Sequence, residues 1–218
     1  MGDPEVELAC DDTPGHTEHD YFQNFLPEEQ GMPVRARLVN AGATGALIKA
    51  VALHPESDRL HRVISQYSIA LQNWSPGRDI LALAHLYMGM EALTEVAIQE
   101  ECRRPGLDKE QMARALGHEK VGDIGPHFRR EVLFQKDNEC YQKAKDASDG
   151  LEHGYKGFPE IQTLARAARD RSAAYLRAAI IRMSGIDEKN THVLLNPLSV
   201  PALPALARGP QARLAAAH

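Results

Sequence analysis

The stretch Ile80 to Arg103, "ILALAHLYMGMEALTEVAIQEECRR" with Arg104, constrains this chain more than any other segment. It holds apolar residues at helical spacing, and its first half is apolar nearly all round. A helix with no polar face has to be covered on every side, which predicts the buried centre of a helical bundle. Its most apolar part, Ile80 to Met90, is interrupted by His85 and reads as too short to span a bilayer, so no membrane partner is expected.

The flanking segments supply the covering helices. Glu56-Ser57-Asp58 offers capping residues, and Leu60, Val63, Ile64, Tyr67, Leu71 and Trp74 then recur at three- and four-residue steps up to Ser75-Pro76-Gly77. Asp79 is placed to cap the central helix, and Pro105-Gly106 ends it. A short capped helix is predicted over 108–116. "VGDIGP" reads as a loop, and 127–151 as two helical stretches around Asp137-Asn138. The last strong helix begins near Pro159 and carries Ile161, Leu164, Ala168, Tyr175, Ala178 and Ile181 on one side before Gly185. Upstream, Leu47, Ile48, Val51 and Ala52 fit a helix ending before Pro55, and "VRARLV" at 34–39 fits one short strand. The expected architecture is all-α: an antiparallel bundle of four to five helices.

Charge divides the chain. Residues 1–34 hold nine acids and no Lys or Arg, leaving 21 acids against 25 bases in residues 35–218. This mild excess is compatible with nucleic-acid contact but lacks a dense basic patch. The expected organisation is an acidic, irregular arm at 1–33, a helical domain at 34–186, and a Pro/Ala-rich tail or linker at 187–218, where four prolines oppose regular helix. Within the arm, Tyr21, Phe22, Phe25 and Leu26 could dock as a short apolar patch. Three cysteines without C-x-x-C spacing argue against a disulfide framework. The N-terminus lacks the basic-then-apolar pattern of a signal peptide, so a soluble, cytoplasmic protein is expected.

Few constellations could carry chemistry. Cys10, His16, His19 and Asp20 in "GHTEHD" and its approach match no tight zinc pattern, so no metal is expected. Phosphate-binding glycine loops and a G-x-S-x-G elbow are missing, and no cofactor is expected. His85 and Glu91 lie on the central helix and are expected to be buried polar groups. His85 reads either as a core histidine with one satisfied hydrogen bond or as a functional group, and Glu91 as half of an ion pair with Arg or His from a neighbouring helix. Arg129 and Arg130 are expected to project side by side into solvent or a groove. The segment "SDGLEHGY" places Asp149, Glu152 and His153 within five residues, with Asp149-Gly150 expected to end or kink its helix.

An apolar helix reading "LALAHLYMGMEALTE", a helix closing on "SDGLEHGY" and a long final helix together resemble the HEPN superfamily (higher eukaryotes and prokaryotes nucleotide-binding), over roughly residues 56–186. That resemblance implies a small helical bundle that dimerises, with RNA or a nucleotide as ligand. Many such proteins are metal-independent ribonucleases of prokaryotic defence systems, marked by an Arg four to six residues before a His. In that chemistry His moves a proton at the ribose 2′-hydroxyl and Arg steadies the scissile phosphate. Here His153-Gly154 matches the end of the motif, but the Arg positions 147 to 149 are Ala, Ser and Asp. The resemblance therefore implies a non-catalytic interaction or dimerisation domain. The alternative is an endoribonuclease in which His153 is the acid/base, Glu152 and Asp149 stand beside it, and Arg129 or Arg130 supplies the cation from elsewhere.

Overall fold

A computed structural model describes residues 6–8, 21–23, 40–75 and 77–196. It is all-α apart from one short ladder, in which β1 (Val6–Leu8) pairs antiparallel with β2 (Tyr21–Gln23) and Glu7 lies opposite Phe22. That ladder replaces irregular chain within the arm expected at 1–33, while the strand expected at 34–39 and the Cys10, His16, His19, Asp20 group lie outside the described residues. The chain divides into two units, one of Met1–Ala41 with Asn196–His218, the other of Gly42–Leu195.

The second unit is built on helices: α1 (Ala41–Leu53), α2 (Ser57–Gln72), α3 (Asp79–Arg103), α4 (Lys109–Ala115), α5 (Ile124–Phe128), α6 (Asn138–His153), α7 (Phe158–Met183) and α8 (Glu188–Leu195). These number eight among the described residues, where four to five were expected. Beyond the long α2, α3, α6 and α7 stand α1, of 13 residues, and the short α4, α5 and α8, of 7, 5 and 8 residues. The long helices α2, α3, α6 and α7 pack on one another, with α3 touching the other three. Leu60 and Val63 of α2, Leu86, Met90 and Leu93 of α3 and Leu176 of α7 are fully buried in one shared core. A smaller cluster around Ile98, Met112, Ile124 and Phe128 seats α4 and α5 on the far end of α3.

By length and composition alone α3, at 25 residues, is long and apolar enough to cross a membrane, although its most apolar part, Ile80 to Met90, is not; 56% of the relevant window is buried inside the fold, as the core helix of a bundle would be. Asp79 does not cap α3, whose N-cap is Arg78. Its buried carboxylate instead accepts from Arg166 Nε at 3.0 Å and Arg169 Nη1 at 2.7 Å, tying the start of α3 to α7. Two guanidinium groups compensate the desolvated charge, and Arg169 also lies 4.3 Å over the Trp74 ring.

The "VGDIGP" segment is a 3₁₀ turn (Val121–Asp123) running into α5, not a loop. Pro126 sits in the first turn of that helix, where its missing N–H costs no intrahelical bond. A π-helical turn, Arg129–Leu133, follows directly. Asp137 caps α6 by accepting the Cys140 N–H at 3.0 Å. Residues Glu188–Leu195, expected as tail, form α8, since the first proline of that region stands at 197 and Asp187 accepts the Asn190 N–H at 2.9 Å. Cys102 and Cys140 are free and buried.

Candidate functional site

Helical spacing gathers the polar residues of one region from three elements. On α3, Tyr87 and Glu91 are four residues apart and share a face; on α6, so do Lys145 with Asp149 and Ser148 with Glu152. Arg129 opens the π-helical turn. Its Nη1 approaches Glu91 Oε1 at 3.9 Å and its guanidinium carbon lies 6.0 Å from the Tyr87 ring centroid. The Arg129 side chain is only 16% exposed, and its Nε is a buried donor with no hydrogen-bond partner. Lys145 pairs with Asp149, and the Ser148 hydroxyl donates to Glu152 Oε1 at 3.3 Å.

Electrostatics couple these groups. Burial raises the Glu91 carboxyl above the usual range; the Glu152 and Asp149 charges push the same way and Arg129 opposes them. Burial pushes the Tyr87 hydroxyl well above its ordinary value, again against Arg129. Lys145 is held above the usual lysine range, first by its bond to Asp149. Three carboxylates (Glu91, Asp149, Glu152) thus meet two cations (Arg129, Lys145). Such a cluster is net acidic, and a phosphodiester approaching Arg129 meets the Glu91 carboxylate already beside it.

The residues singled out from sequence are only partly brought together. Arg129 joins Glu91, but Arg130 does not lie beside it: the chain turns Arg130 outward, where its Nε donates to Glu131 Oε1 at 2.8 Å. Consecutive residues on a helical turn point in different directions, so an Arg-Arg pair rarely acts as one patch. His153 is exposed at the last position of α6 and stacks on Tyr155 with ring centroids 6.4 Å apart and planes at 15°. Among the described residues it has no hydrogen bond or ion pair, and so none with an arginine.

Asp149-Gly150 neither ends nor kinks the helix. α6 continues to His153 and is closed by Gly154 in the left-handed conformation, φ +67°. Gly150 is required by packing instead: a Cβ there would lie 2.8 Å from Cδ and 3.0 Å from Cβ of Lys156, which the following loop folds back over the helix.

His85 and Glu91 are not the buried polar groups expected. His85 is partly exposed and its Nδ1 lies 2.7 Å from Gln66 Oε1, while the Glu91 side chain is 46% exposed. The reason is an outward stripe on α3 through Leu81, Ala84, Met88, Glu91 and Glu95, most of it apolar in sequence. Tyr87, which faces both Arg129 and Glu91, and Lys145, which pairs with Asp149, escape the sequence reading; the four-residue spacings 87–91 and 145–149 are the available signal. Among the described residues no three His, Cys, Asp or Glu side chains are grouped to hold a metal ion.

Beside the acidic cluster the α3 stripe continues as an apolar face. Leu81 and Met88 are 50% and 39% exposed, and Leu151 of α6, 44% exposed, lines a small cleft with Ile80 and Ala84. Leu81, Ala84 and Met88 follow one another on α3 at three- and four-residue steps, and Ala84 shares the cleft with Leu151 of α6, so an apolar patch runs from one helix to the other; His85 and Glu91 stand beside it on α3 and Glu152 on α6. No protein-family model matches this chain, and no curated protein or solved structure matches it significantly.

Proposed function

We propose that this chain is a non-catalytic, HEPN-like helical module that pairs with a second copy of itself through the α3–α6 face. The observation that carries this reading is the continuous patch of Leu81, Ala84, Met88 and Leu151, apolar at its centre and polar at its edge. Single exposed apolar residues are ordinary, but contiguous ones on two packed helices mark an interaction surface. A patch on one face is self-complementary under two-fold symmetry, the commonest arrangement of small oligomers. The lack of catalysis is supported by the engagement of Arg129 with Glu91 and by the isolation of His153 from any arginine.

Light scattering on the full chain tests the pairing. Wild type is expected to run at twice its 24.1 kDa mass, and Met88→Glu combined with Leu151→Glu at the monomer mass with unchanged helical content. A monomeric wild type, or a dimer untouched by those charges, refutes the proposed face. Incubation with structured RNA in EDTA tests the lack of catalysis: cleavage that disappears in His153→Ala would establish the ribonuclease instead.

A further inference from the structure

A second cavity, away from the α3–α6 face, has a volume of about 310 Å³ and lies between the C-terminal half of α3, the π-helical turn and the end of α7. That is the lower end of the roughly 300–1,000 Å³ range of small-molecule sites. Its apolar wall is made by Phe128, Val132 and Met183, and Val132 is 42% exposed there because the π-helical turn presents it.

The charged rim is unevenly satisfied. Glu100 Oε1 is held by Arg103 Nη1 at 2.5 Å and faces His54 Nε2 at 3.5 Å. The histidine is oriented for this: its Nδ1 accepts the Glu56 backbone N–H at 3.0 Å, so in the neutral ring Nε2 carries the proton and points it at Glu100. Glu101, also on the rim, is answered by Arg104 at 3.0 Å. Both carboxylates are therefore matched within the protein. Arg182, on the α7 side, has no ion-pair partner among the described residues.

The wall opposite is conformationally unusual. Gln135 lines the cavity with φ +50°, and Lys136 follows at φ +66°, two successive non-glycine residues in the left-handed region. Both π-helical turns and such backbone conformations recur where structure is shaped around a ligand.

From the cavity, its apolar wall and the unmatched guanidinium at its rim, we infer that this site binds a small amphipathic carboxylate, its aryl or alkyl body against Phe128, Val132 and Met183 and its anionic end on Arg182. An arginine presents paired donors whose geometry suits a carboxylate. This inference is independent of the self-association face and stands if that face fails.

The test uses the full chain and a matched pair of probes, phenylbutanoate and phenylbutanol, with affinity read by calorimetry and location by amide chemical shifts. Phenylbutanoate is expected to shift amides of the π-helical turn and the end of α7, and to bind more tightly than the alcohol. Arg182→Gln, an exposed substitution with little bearing on folding, is expected to weaken the carboxylate about tenfold and leave the alcohol unchanged. Val132→Trp, which fills the cavity, is expected to remove both. Amide shifts elsewhere, equal affinity for the two probes, an unaffected Arg182→Gln variant or binding that survives Val132→Trp would each overturn the inference.

Discussion

Gly89 lies in the middle of α3, where side chains of both α2 and α7 press against it. A Cβ built on Gly89 would sit 2.8 Å from Leu176 Cδ2, 3.7 Å from Leu176 Cδ1 and 3.5 Å from Gln66 Cβ. Two effects oppose each other in Gly89→Ala. Helix propensity and the entropy of the unfolded chain favour alanine by about 1 kcal/mol. Against this, carbon atoms rest at roughly 3.5–4.0 Å, so the new methyl group intrudes by about 1 Å. Leu176 is fully buried, so its methyl group has no free volume to enter, and overpacking of this kind costs about 1–3 kcal/mol. The net expectation is a loss of about 1 kcal/mol. The discriminating measurement repeats the substitution in a Leu176→Ala background. Leu176→Ala alone leaves a cavity and should cost about 2–5 kcal/mol. Once that side chain is gone the overlap vanishes, propensity acts alone, and Gly89→Ala should become stabilising by about 1 kcal/mol. The coupling between the two positions is then about 2 kcal/mol. Urea unfolding followed by circular dichroism gives all four corners of the cycle, provided the slope stays constant so that midpoints report stability. If Gly89→Ala raises the midpoint in the wild-type background, or shifts it equally in both, then close approach of α7 is not why position 89 is glycine.

Two further perturbations probe the supports of the region around the candidate site. Asp137 caps α6 and also receives the Tyr175 hydroxyl at 2.9 Å and Arg171 Nη1 at 3.0 Å, so Asp137→Ala should cost about 1–2 kcal/mol near neutral pH. The Cys140 amide, with Tyr175 and Arg171, holds this carboxyl below the usual aspartate range; its stabilisation is therefore present above about pH 3.9 and lost as pH falls through the folded-state value. Acid titration of stability should show that loss in wild type and a smaller one in the variant; parallel curves would remove Asp137 from the account. His127 meets the His118 ring at 4.9 Å, and burial, then the His118 charge, lowers its pKa, with Arg130 acting in the same direction and Glu131 against. A depressed histidine favours the neutral folded form, so stability should be full above about pH 6.5 and decline as pH drops below it. Melting temperatures at about pH 7 and about pH 5 should differ more for wild type than for His127→Phe, and an unchanged difference would refute the assignment.

The sequence declared those parts of the fold whose cause is local. α2, α4 and α7 follow from apolar residues at helical steps, from Asp108 capping α4 with a reciprocal Gln111 bond, and from Pro159 in the first turn of α7. What escaped is set by contacts distant in sequence. Gly150 looks like a helix end because glycine is common there; only the return of Lys156 over α6 reveals that it is a packing position. Gly125 and Pro126 look like a loop because nothing in the periodicity announces a five-residue helix followed by a π-helical turn, and that insertion is what sends Arg129 inward and Arg130 outward.

The misreading of Glu91 has a different origin, and it bears on function. α3 reads as apolar all round because Leu81, Ala84 and Met88 occupy its outward stripe as well as its buried sides. Within one chain that stripe faces water and carries Glu91 with it. Under the proposed pairing the same residues would be covered by a second copy, and an apolar sequence on every side is then what the assembled helix requires. Glu91 would lie at the edge of that contact. Burial already raises its carboxyl, and covering its neighbours would raise it further, so dimerisation should take up protons where Glu91 titrates. Self-association that strengthens on mild acidification in wild type, and loses that dependence in Glu91→Gln, would tie the apolar stripe and Glu91 to a single cause.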